Sequence, residues 1–166
     1  YSGKSEKFGE SGDFITAAEE TGILGRIIAN QCSVILNEIP DASIIEYGPG
    51  SGALAISILK QLLKMDLKPK AYYMVDVSED LIERQKNRIS TELPEIYDSV
   101  IWISEIPDGF SGIVIGNEVI DSMPFERFMI SDKRILQFFV GIKEDELVNE
   151  LEPANPELKK YVKQIE

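Results

Sequence analysis

The chain has 166 residues, 43% of them hydrophobic and 28% charged, with a formal net charge of -12. That length allows one compact domain with a core, and the acidic balance disfavours nucleic acid or an anionic membrane while suiting a cationic ligand or a basic side chain. One cysteine, Cys32, and no histidine exclude an internal disulfide, Ser-His-Asp triads and most transition-metal sites, so no metal is expected and a reducing compartment is.

Residues 1–12 are polar, carry Gly3, Gly9 and Gly12, and read as a loop. Thr16-Ala17-Ala18-Glu19 has capping-box spacing, in which a Thr hydroxyl and a Glu three residues on satisfy free backbone N–H groups. Leu24, Ile27, Ile28, Gln31 and Ile35 follow at helical spacing, so a helix is predicted to about Glu38, just before Pro40. Gly22 and Gly25 weaken its first turns.

Ser43 to Tyr47 is predicted as a short strand, and Gly52 to Lys64 as a helix with Leu54, Ile58, Leu59 and Leu62 on one side. Ala71 to Val77 reads as a second buried strand. Ser78 then caps a helix with Glu79 and Asp80 in its first turn, where the helix dipole favours negative charge. That helix is predicted to bury Leu81, Ile82, Gln85 and Ile89. Val100 to Ile103 and Gly112 to Gly116 complete four strands that alternate with helices, the pattern of a parallel sheet with helical crossovers. Right-handed crossovers from a central first strand predict the order 3-2-1-4.

After Pro124 the pattern changes. Arg127 to Ile130 and Ile135 to Ile142 read as an antiparallel hairpin turning at Ser131-Asp132-Lys133. Leu147 to Leu151 is a candidate edge strand, and Pro156 to Ile165 a short helix. No stretch reaches the roughly 20 apolar residues of a transmembrane helix, so no membrane insertion is expected. No signal peptide or transit segment is visible. The chain opens at Tyr1, not Met, and reads as part of something longer.

Two segments carry chemistry. In Ile44-Ile45-Glu46-Tyr47-Gly48-Pro49-Gly50-Ser51-Gly52 a strand ends in an acidic residue and glycines follow at alternate positions. Glycine is needed where a chain turns sharply and a ligand lies on bare backbone, and open α/β sheets bind ligands at the carboxyl ends of their strands. Gly48, Gly50 and Ala53 also satisfy a loose dinucleotide fingerprint, with Asp76 at the end of the next strand as a ribose binder. Spacing alone does not separate a nicotinamide dinucleotide from S-adenosylmethionine. Charge favours the latter, because a pyrophosphate wants free N–H groups and no nearby carboxylate. Pro49 removes an N–H, and Glu46 is expected at the mouth of the loop, where it would suit a sulfonium and an ammonium group.

The second segment is Gly116-Asn117-Glu118-Val119-Ile120-Asp121-Ser122-Met123-Pro124, at the end of the fourth strand. A turn of helix there would place Asn117 and Asp121 four apart and Glu118 and Asp121 three apart, all on one face. The plainer alternative is that Asn117 and Asp121 only cap that helix.

Taken in order, these segments resemble the MidA family of class I S-adenosylmethionine-dependent methyltransferases. Phe8 to Thr16 looks like its opening motif, Glu46 to Gly52 like its cofactor loop with Tyr47 where Leu is more usual, and Asn117 to Pro124 like its Asn-Glu-x-x-Asp-Ala-Leu-Pro signature. Val77 to Gln85 and Trp102 fit the same pattern, and Asp76 stands where Glu is more common; either can bridge ribose hydroxyls. The resemblance spans about Gly3 to Phe128. It implies that the chain is the N-terminal portion of a longer enzyme, followed by a further subdomain.

The expected architecture is α/β: a partial Rossmann-like class I methyltransferase sheet with an antiparallel hairpin after strand four. Residues 1–124 would form the cofactor core and 125–166 the start of a substrate subdomain. Glu46, Gly48, Gly50, Gly52, Asp76, Val77, Trp102 and Asn117 would bind S-adenosyl-L-methionine, with Trp102 either packing the core or serving as a shelf for adenine. By resemblance the acceptor is an arginine of a protein, such as a respiratory complex I subunit, in a bacterial cytoplasm or a mitochondrial matrix. Glu118 and Asp121 would bind the guanidinium and accept its proton, and Asn117 would position the cofactor's methionine part or the attacking nitrogen. Asp13 and Thr16 could close the site from the N-terminal side. Other acceptors, or a non-catalytic assembly role on the same fold, are the alternatives.

Overall fold

A computed structural model describes residues 22–165. The Thr16 capping box and the Phe8 to Thr16 motif, with Asp13, lie outside them. The chain divides into two compact units, one ending at Ser122 and the other beginning at Met123.

The first unit opens with helix α1, Ile23–Glu38. Gly22 precedes it at φ 60, so the described helix starts at a left-handed residue with no side-chain cap. The second weak position, Gly25, has a packing reason: a Cβ there would stand 2.4 Å from the Ser57 side chain. Its absence lets α1 lie close on the next helix, and Ser57 Oγ donates to Gly22 O at 2.8 Å.

Strands β1, Ser43–Tyr47, β2, Tyr72–Val75, β3, Val100–Trp102, and β4, Gly112–Gly116, form one parallel sheet in the order β3-β2-β1-β4. This is the predicted order. Helices α2, Ala53–Lys64, and α3, Glu79–Glu92, follow β1 and β2. The core gathers Ile44, Leu54, Ile58, Leu59, Leu62, Tyr72, Met74 and Ile89, with Ala29 and Cys32 from α1. Burial pushes the Cys32 thiol up to about 11, so it stays protonated and inert at neutral pH.

One strand end and one burial pattern stand out against expectation. The second strand stops at Val75, and Val77 is 92% exposed instead of buried. The cause is Asp76, which accepts from Ser78 N at 3.0 Å and turns the chain out of the sheet. On α3, Gln85 and Ile89 are buried but Leu81 and Ile82 only partly so.

The second unit is a three-stranded antiparallel sheet of β5, Phe128–Ser131, β6, Arg134–Lys143, and β7, Glu146–Pro153. The expected hairpin is thus continued by a third full strand. Both turns have two residues at positive φ, Asp132-Lys133 (49 and 61) and Glu144-Asp145 (51 and 65), the backbone of two-residue hairpin loops. Helix α4, Pro156–Ile165, begins with proline, which loses no intrahelical bond at that position. Asn155 caps it, accepting from Leu158 N at 2.8 Å. Its Leu158 and Val162 pack with Ala154 and Ile135.

Candidate functional site

The glycine loop leaves β1 at its carboxyl end, beside the ends of β2 and β4. Gly48, Gly50 and Gly52 all have positive φ, at 58, 55 and 80. Gly50 is the informative one: among the described residues, a Cβ built on it meets nothing within 4 Å. The left-handed backbone demands glycine, and the space beside it is open to a ligand. The opposite holds at Gly48, where a Cβ would lie 3.1 Å from Val119 Cγ2. That contact brings Val119, just after β4, against the loop.

Asp76 stands at the end of β2 with both carboxylate oxygens engaged. Oδ1 accepts from Ser78 N at 3.0 Å and Oδ2 from Gln85 Nε2 at 2.9 Å. Each oxygen keeps a further lone pair for an incoming hydroxyl. Val77 presents an exposed apolar surface next to it. Trp102, at the end of β3, is half-buried, donates from Nε1 to Gln85 Oε1 at 2.8 Å and packs against the core. The Lys86 ammonium stands 5.4 Å from its ring centroid.

Glu46 is not at the mouth of the loop. It lies on β1, the inner strand paired on both sides, is 2% exposed, and accepts from Tyr72 Oη at 2.5 Å. Burial raises its pKa from 4.5 to about 7, against the opposing pull of the Tyr72 hydrogen bond. Tyr72 is pushed well above its usual value, so it remains the proton donor. The mouth of the loop therefore lacks the carboxylate expected from Glu46.

This carboxyl carries a pH prediction. Because the folded pKa is the higher one, the stability tied to protonated Glu46 is complete below about 4.5 and lost as pH rises through about 7. Glu46→Gln keeps the shape and the acceptor for Tyr72 but never ionises. Its unfolding free energy should match wild type near pH 4 and exceed it by roughly 3 kcal/mol above about pH 8. Denaturant titrations across that range check this; a constant offset at every pH would refute it.

The segment after β4 also departs from expectation. No α-helical turn follows Asn117. Glu118 is left-handed at φ 51, and a short 3-10 turn covers Ile120–Ser122. The four-apart spacing argument therefore fails, and Asp121 is a member of the 3-10 turn and no helix cap. Asn117 is half-buried, and Glu118 and Asp121 are exposed. Among the described residues none hydrogen-bonds or pairs with either carboxylate. The residue that sequence reading missed is Gln85. Its signal was a polar side chain on the buried side of α3, which requires partners.

The order β3-β2-β1-β4, with a glycine loop after β1 and an acidic residue ending β2, is a Rossmann-like sheet with its ligand crevice at the strand ends, and its likeness to a methyltransferase crystal structure makes it a class I S-adenosylmethionine-dependent methyltransferase fold. Residues 24–166 match the model of a family described as S-adenosyl-L-methionine-dependent methyltransferases. The chain belongs to that family, the MidA family. It is 28% identical over 168 residues to the mitochondrial protein arginine methyltransferase NDUFAF7 homolog of Caenorhabditis elegans, covering 87% of this chain and 38% of that protein. It is 25% identical to protein arginine methyltransferase NDUFAF7 of Danio rerio, covering 96% and 41%. A crystal structure from Burkholderia thailandensis, bound to S-adenosyl-homocysteine, superposes with a TM-score of 0.75 at 28% identity, covering 97% of this chain and 43% of that one. The chain thus spans about two fifths of the length of these relatives.

Proposed function

We propose that this chain forms the cofactor-binding part of a protein arginine methyltransferase. The observation that carries the reading is the open face of Gly50 beside a fixed Asp76 carboxylate, at the carboxyl ends of β1 and β2. S-adenosylmethionine would lie along Gly48 to Gly52, with its ribose hydroxyls on Asp76, its adenine toward Val77 and Trp102, and its methionine end toward Asn117. The relative bound to S-adenosyl-homocysteine supports the choice of ligand.

When bound, the cofactor supplies an electrophilic methyl group on a sulfonium. The arginine nitrogen forms the new bond as the sulfur–carbon bond breaks and its electron pair returns to sulfur. A protonated guanidinium has no free lone pair, so a proton must leave as the bond forms. Exposed Glu118 and Asp121 are the carboxylates at hand to hold the guanidinium and take that proton. The relatives' names and the net charge of -12 favour a cationic acceptor over RNA. The further parts of the reading rest on the family resemblance: a respiratory complex I subunit as the partner, in a mitochondrial matrix or a bacterial cytoplasm.

Calorimetry with S-adenosylhomocysteine and with NAD tests the reading. S-adenosylhomocysteine should bind preferentially. Preference for NAD would refute it.

A further inference from the structure

The first unit holds a buried amide that the proposed chemistry does not yet use. Gln85 is 0% exposed, on the inner side of α3. Its Nε2 donates to Gly50 O at 2.7 Å and to Asp76 Oδ2 at 2.9 Å, and its Oε1 accepts from Trp102 Nε1 at 2.8 Å. The one amide therefore touches the glycine loop after β1, the acid ending β2 and the tryptophan ending β3.

The orientation of this amide is chemically determined. An indole nitrogen only donates, so the side facing Trp102 must be the carbonyl oxygen. The amino side then meets two groups that only accept, a backbone carbonyl and a carboxylate. Its two N–H bonds are matched one to each. A reversed amide would place its oxygen against Gly50 O and Asp76 and its N–H against the indole N–H, leaving all three groups unsatisfied in a buried place. Gln85 also makes van der Waals contact with the loop from below: a Cβ on Gly52 would lie 3.6 Å from its Cγ. Next to it on α3, Arg88 Nη1 donates to Ser51 Oγ at 3.1 Å, a second hold on the same loop.

We propose that Gln85 is the positioning residue of the cofactor site, holding Gly50 and Asp76 at a set separation and orienting the Asp76 carboxylate for the ribose hydroxyls, with Trp102 holding the amide in turn. This rests on the cofactor reading above. Gln85 itself is buried, so it acts through Asp76 and the loop. Without that N–H the carboxylate keeps only the Ser78 N bond at Oδ1, and Oδ2 is no longer held. The ligand would then have to order it on binding, and affinity falls by that cost.

The test measures dissociation constants of S-adenosylhomocysteine and of its 2′,3′-dideoxy analogue for wild type, Gln85→Met and Gln85→Glu. Methionine keeps length and volume without polar atoms. Glutamate keeps the oxygen facing Trp102 but turns a carboxylate oxygen toward Asp76 and Gly50 O. Thermal unfolding of each variant confirms that the folded protein is being measured. Both variants should bind S-adenosylhomocysteine at least about tenfold more weakly, roughly 1.4 kcal/mol. The loss should be several-fold smaller for the analogue, which has no hydroxyls for Asp76 to accept. A general loosening of the fold would weaken both ligands equally, and equal losses overturn the proposal. So does unchanged affinity in folded variants. Failure of wild type to bind S-adenosylhomocysteine would instead remove the cofactor reading, and this inference with it.

Discussion

Asp121→Asn is expected to lower methyl transfer about 10²–10⁴-fold, the usual contribution of a positioned general base, while leaving cofactor affinity nearly unchanged. Asp121 sits in the 3-10 turn Ile120–Ser122, just beyond the end of β4. It is exposed, and among the described residues its carboxylate has no hydrogen-bond or salt-bridge partner. The fold therefore does not depend on its charge, and surface substitutions of that kind usually cost within about 0.5 kcal/mol. Asparagine keeps the shape and removes both the attraction for a guanidinium and the proton acceptor. A fall in rate without a fall in stability or cofactor affinity would locate the effect in the chemistry. The assay is turnover of labelled S-adenosylmethionine on an arginine-containing protein acceptor, with S-adenosylhomocysteine affinity measured alongside. Turnover within about threefold of wild type, far below that range, would remove Asp121 from the acceptor face.

Gly50→Val is expected to do the reverse and weaken S-adenosylhomocysteine binding by about 100-fold or more, roughly 2.7 kcal/mol. Two effects act together. At φ 55 a side chain costs about 1–2 kcal/mol of backbone strain, more for a β-branched residue. The new atoms would also fill the open space beside the loop, where a Cβ meets no atom of the described residues within 4 Å. The Cβ itself strikes none of the described residues, so its direct steric penalty falls on the ligand. Gly50→Ala separates the two contributions. It has a smaller strain than valine and keeps one atom in the ligand's path, so binding should still drop while the melting temperature falls by only the few degrees that the strain itself costs. Calorimetry and thermal unfolding on both variants check this. Wild-type affinity in either folded variant would place the cofactor elsewhere.

The sheet was legible because it rests on local signals. Short apolar runs, amphipathic helices and a glycine loop after the first run predict a parallel sheet, and the handedness of crossovers then leaves the order 3-2-1-4. Glycines at 48, 50 and 52 need positive φ whatever surrounds them, so their place in a turn is written in the residue type. Ser78 as a cap is equally local: its hydroxyl accepts from Leu81 N three residues on. The third strand of the second sheet was less legible, because Glu144-Asp145 turns at positive φ without glycine or asparagine to announce it.

What only the tertiary structure decided concerns side chains whose partners are far away in sequence. Glu46 reads as a carboxylate at the mouth of a loop. It is instead a buried group paired with Tyr72, 26 positions on, because the inner strand of a covered sheet buries both its faces. Asn117 and Asp121 have helical spacing, yet Glu118 turns left-handed between them. Gln85 reads only as one of the residues its helix buries. Its partners appear only when the ends of three strands converge, since an amide's worth depends on which donors and acceptors the fold brings within 3 Å of it. Periodicity and turn chemistry act over a few residues and can be read along the chain. Burial and hydrogen-bond partnership are properties of the packed sheet, and they determine which of its acids are ionised, which are fixed and which stand free.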